Sequence, residues 1–181
     1  MRSHLRAPVI FAALASSLAL SACGTWQSVS DTTSSAYHAV FYKQVKVLNV
    51  DLTARALLNP DDANRPCAVA VRVYQLKDRK AFDGASYDDL LKNDKTILAQ
   101  DLQDTVAVVV NPGGAASLSQ TTRPDTQYVA IVAFYRDATD DRSWRRVIPK
   151  KALSPDDPLK FELVDRQLVA TTDVPQERPA Q

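Results

Sequence analysis

Glycine is scarce in this chain, with four in 181 residues: Gly24, Gly84, Gly113 and Gly114. None falls in a G-x-G-x-x-G, P-loop or G-x-S-x-G pattern, so the signatures of a dinucleotide turn, a phosphate cradle and a nucleophile elbow are all missing. Histidine is rarer still, at His4 and His38, and the cysteines are Cys23 and Cys67. That set cannot build an ordinary zinc site, and a Ser-His-Asp arrangement would have to run through His38. Surplus charge is lacking too: 22 basic side chains stand against 21 acidic ones. Nothing there attracts a phosphate backbone. The paired acids Asp61-Asp62, Asp88-Asp89, Asp140-Asp141 and Asp156-Asp157 fall in expected turns and caps, where solvation explains them better than acid–base chemistry. Asp137, Asp140 and Asp141 lack the spacing of a calcium loop. The expectation is a chain without catalysis, cofactor, metal site or nucleic-acid partner.

A long hydrophobic run is also absent. The one apolar stretch, residues 7–20, falls short of the roughly 18 residues a membrane span needs. Its flanks carry the meaning. Arg2 and Arg6 precede it and small residues follow, the order of a secretory signal. The closing Leu20-Ser21-Ala22-Cys23 resembles a bacterial lipobox. That resemblance implies cleavage before Cys23, acylation of its thiol, and removal of residues 1–22. Gly24 follows the cysteine where an Asp would be the inner-membrane retention signal of enteric-type bacteria, so the outer membrane is the expected destination. Without the leader, 159 residues remain, with 20 basic and 21 acidic side chains. That is enough chain for one domain with a real core. Cys67 is then left without a partner and reads as a small buried hydrophobe at the start of a strand.

What the chain does contain is alternation. Residues 24–35 are Ser/Thr-rich and read as a tether, so residues 23–44 form a lipidated Cys and linker. Leu48, Val50, Leu52, Ala54 and Ala56 alternate with Asn49, Asp51, Thr53 and Arg55, the period of a half-buried strand. Residues 59–66, with Pro60 and Pro66, read as a turn-rich loop. A second strand is expected over residues 67–78. Ser86 to Asp89 has the form of a capping box, opening a short helical stripe of Tyr87, Leu90 and Leu91. Asp94 is expected to cap another short helix over residues 95–99. Further strands are expected at 105–110, 116–121, 128–136, 144–148 and 159–163, with 168–170 extending the last past a bend. The 128–136 run is apolar on both faces, as in a central strand. Residues 137–142 read as a charged hairpin loop and 171–181 as a fraying tail. Seven to eight short strands with turn signals predict an all-β sandwich over residues 45–170 with small helical insertions.

At residues 69–78, VAVRVYQLKD, then Phe82 and the Tyr87 to Leu91 stripe, the sequence resembles the TssJ/SciN family of type VI secretion lipoproteins. Leu58-Asn59-Pro60, Arg72-Val73-Tyr74-Gln75-Leu76, residues 128–136 and Trp144-Arg145 carry the resemblance most specifically. It covers the chain from the lipobox to about residue 170. The family implies a transthyretin-like β-sandwich on the periplasmic face of the outer membrane. It also implies a partner, the periplasmic C-terminal region of the inner-membrane protein TssM. The loop between the first two strands is the implied contact, which here is Asn59, Pro60, Asp61, Asp62, Ala63, Asn64, Arg65 and Pro66. The rival reading is a periplasmic ligand-binding lipoprotein that uses the sandwich as a transthyretin-like pocket; the adaptor reading expects no small-molecule substrate.

Overall fold

The computed structural model describes residues 45–138 and 143–171. The expected leader 1–22, Cys23, the linker 24–44, residues 139–142 of the expected hairpin loop and residues 172–181 lie outside the described residues.

Alternation becomes burial in β1 (Val47–Ala54). Leu48, Val50 and Leu52 are buried while Val47, Asn49 and Thr53 are exposed. β1 pairs antiparallel with β4 (Ala115–Thr121) and parallel with β7 (Leu159–Val164), and β8 (Gln167–Ala170) closes a sheet of order β4-β1-β7-β8. The second sheet has order β3-β2-β5-β6, from β2 (Val69–Leu76), β3 (Leu102–Val110), β5 (Tyr128–Phe134) and β6 (Arg145–Pro149), all antiparallel. One core joins the sheets, with Leu52, Phe161 and Leu163 from the first and Val71, Val73 and Ile131 from the second. This is the eight-stranded sandwich that the alternation predicts.

The second sheet is buried on its other face as well, which is why the 128–134 run is apolar throughout. Three short helices cover that face: α1 (Lys80–Gly84), α2 (Tyr87–Lys92) and α3 (Asp94–Ile97). Tyr74 packs against Phe82, and Tyr87 packs edge-on against Phe134 and Trp144. Arg72 donates to the Leu90 carbonyl at 2.9 Å and to Asp94 at 3.0 Å, and the Tyr74 hydroxyl donates to the same carboxylate at 3.1 Å. Ser86 caps α2 in a complete capping box with Asp89, as its spacing predicts. α1 ends differently: the buried Arg145 guanidinium donates to the Phe82, Ala85 and Asp83 carbonyls, supplying the donors that terminal carbonyls lack.

Three local expectations change. Residues 168–170 do not extend β7. They return beside it as β8, because Asp165 takes φ 52° and turns the chain, and Asp tolerates that left-handed region. The second strand begins at Val69 rather than residue 67. Cys67, expected to be buried, is half-exposed ahead of the ladder, its Sγ 3.5 Å from the Arg65 carbonyl oxygen. Parity with Val69 does not bury a residue that lies before the sheet begins.

The registers gather four connections at one end of the sandwich: residues 55–68, the turn at 111–114, the segment after β5, and the 165–166 turn. Val45 and Lys46 lie at the other end, where the Lys46 carbonyl accepts from the Thr122 amide at 2.9 Å.

Candidate partner-binding loop

The β1–β2 connection has a fastened base and a stitched tip. At the base, the Gly113 amide donates to the Arg55 carbonyl at 3.1 Å, and the Arg55 amide donates to the Leu163 carbonyl at 3.0 Å. Leu58 is fully buried, and the Cys67 amide donates to its carbonyl at 2.9 Å, closing the two strands of the loop into a neck. Asn59 comes next, 2% exposed and at φ 47°. Its amide donates to the Asp165 carbonyl at 2.8 Å. Its side chain donates through Nδ2 to the Ala68 carbonyl at 3.3 Å and accepts through Oδ1 from the Arg136 amide at 2.8 Å.

Asp61 stitches the tip. One carboxylate oxygen accepts the Ala63 and Arg65 amides, each at 2.9 Å, and the other accepts Arg65 Nε at 2.8 Å. The Asp61 amide donates to the Arg65 carbonyl, and the Asn64 amide to the Asp61 carbonyl. Asn64 sits at φ 57°, where asparagine is tolerated better than most residues. The hydrogen bond from the Arg65 side chain, then its backbone donor, holds the Asp61 carboxyl below its ordinary 3.8.

The candidate residues therefore divide. Asn59 is buried, and Pro60 and Asp61 are half-buried, with the Asp61 carboxylate used inside the loop. Asp62, Ala63, Asn64, Arg65 and Pro66 are exposed together at the tip. The fold adds neighbours that no local pattern announces. Arg136 lies 3.9 Å from Asp62. Arg166 lies 3.4 Å from Asp137 and donates to the Pro60 carbonyl at 3.3 Å. Both arginines come from connections more than 70 residues away in sequence, so only strand pairing brings them to the loop. These exposed ion pairs set a charge pattern more than they add stability. Among the described residues no group of three or more His, Cys, Asp and Glu side chains converges as a metal site would.

The family described as type VI secretion lipoprotein, VasD, EvfM, TssJ matches residues 46–167. Among solved structures, a chain of a type VI membrane complex is 32% identical, covers 71% of this chain and 100% of its own length, and superposes with a TM-score of 0.68. A chain in the structure described as the T6SS protein TssM C-terminal domain from EAEC is 28% identical, with coverage of 71% and 99% and a TM-score of 0.64. The T6SS lipoprotein TssJ1 from Pseudomonas aeruginosa is 27% identical, with coverage of 75% and 98% and a TM-score of 0.57. No curated protein sequence matches.

Proposed function

This chain belongs to the type VI secretion lipoprotein family that includes TssJ, and we propose that it is an outer-membrane anchor of the secretion apparatus, held by lipid on Cys23 and binding the periplasmic C-terminal region of TssM. It works as a structural adaptor without catalysis. The observation that carries the reading is the loop: a tip of exposed polar and charged residues, stitched by Asp61 and fastened at its neck to three other connections. A loop ordered before binding loses less entropy on docking and gains affinity without added area. Asp62, Asn64 and Arg65 at the tip supply orientation and specificity. Relatives in a type VI membrane complex and in a structure described by the TssM C-terminal domain support the choice of partner.

The anchor follows from the lipobox. One acyl chain holds a protein only marginally, and each further buried CH₂ adds about 0.8 kcal/mol, so a multiply acylated Cys23 stays in the membrane. In cells, the wild-type chain should fractionate with the outer membrane and bring the TssM periplasmic region with it. The Cys23→Ser chain should still bind TssM but leave the membrane fraction. An unlipidated N-terminus on the membrane-extracted protein overturns the anchor, and failure to associate with TssM overturns the adaptor.

A further inference from the structure

We infer that Asn59 is the positioning residue of the loop: it fixes the direction in which the tip is presented and does not itself touch the partner. The inference rests on the reading that this loop meets TssM, and it changes what the sequence suggests for Asn59, which there stands among the contacts.

Three bonds from one residue join three connections. The Asn59 amide reaches the 165–166 turn through the Asp165 carbonyl, Oδ1 reaches the segment after β5 through the Arg136 amide, and Nδ2 reaches across the neck to the Ala68 carbonyl. Only a short side chain carrying both an acceptor and donors can make the last two from the same place. The left-handed backbone at φ 47° then redirects the chain into Pro60, whose carbonyl accepts from Arg166. The tip beyond it keeps its own shape, because the Asp61 bonds close within residues 61–65, and the Arg136–Asp62 pair that also reaches it is long and exposed. Such a tip on a fixed neck is a rigid group whose orientation depends on the neck. Loosening the neck leaves the tip intact but lets it point elsewhere. Binding then draws only on the fraction of molecules with the tip correctly directed, and apparent Kd rises in inverse proportion to that fraction.

The kinetic signature separates positioning from contact. A mispointed loop lowers kon and leaves koff unchanged, whereas a lost contact raises koff. The test uses the mature chain carrying Cys23→Ser, titrated against the periplasmic TssM fragment on a kinetic biosensor. Asn59→Gly keeps the positive φ allowed and removes both side-chain bonds. It should lower kon about tenfold, as for a loop correctly directed about a tenth of the time, with koff as in wild type. In this variant amide exchange at position 59 and at Cys67 should quicken, while Ala63 and Arg65 stay protected. Asn59→Asp keeps the acceptor for Arg136 but sets a buried carboxylate oxygen against the Ala68 carbonyl, so its kon should also fall with koff as in wild type; it carries the same reading if the glycine variant does not fold. A lower melting temperature with unchanged kon, or a change confined to koff, overturns the positioning role while the adaptor reading stands. A wild-type chain that does not bind TssM at all overturns both.

Discussion

At the scale of single residues, Asp61 shows how little a local pattern says about a carboxylate's use. Asp61 and Asp62 are adjacent in sequence, yet one is tied into the loop and the other is 99% exposed at its side chain. The bonds to Arg65 and Ala63 favour the charged form of Asp61 and hold its pKa below 3.8. Its contribution to loop order is therefore complete above pH 3.8 and is lost as pH falls below that value through the folded-state pKa. In an NMR titration, the Ala63 and Arg65 amides should move together, with a midpoint below 3.8. A midpoint at the ordinary carboxylate value would contradict the stitched tip. Asp61→Asn should disturb the same two amides at every pH.

At the scale of elements, strand existence was legible because period-two alternation is a direct consequence of one face meeting a core. Leu48, Val50 and Leu52 announce β1, and Leu159, Phe161 and Leu163 announce β7. The capping box at Ser86 was legible for the same reason, since both partners lie within four residues. α1 was not. Ala81 and Phe82 make no helical stripe, and the guanidinium that satisfies its last carbonyls belongs to Arg145, on a strand some 60 residues on. The β8 return was missed because its turn hangs on Asp165 rather than on a glycine. The candidate loop was legible in position but not in division: nothing local distinguishes a buried Asn59 from an exposed Asn64. Two substitutions test the elements. Ser86→Ala removes the cap of α2 and should cost about 1 kcal/mol in denaturant unfolding. Phe161→Ala opens a cavity between the sheets and should cost about 3–5 kcal/mol. Equal, small effects would mean that the core does not lie where the strand registers put it.

At the scale of the whole domain, the arrangement has a direction. The described chain starts at Val45 at one end of the sandwich, runs through the eight residues of β1, and delivers the loop at the other end. At roughly 3.3 Å per residue, β1 alone separates the two ends by about 26 Å. β1 is well placed to hold that separation, lying between β4 and β7 in the interior of its sheet. The most direct measurement of the account replaces residues 61–65 with a Gly/Ser run of equal length in the mature Cys23→Ser chain and titrates it against the periplasmic TssM fragment. The neck stays intact, so the domain should unfold within a few degrees of wild type while binding weakens at least tenfold. Unchanged binding by a folded variant would contradict the account and move the interface elsewhere on the sandwich.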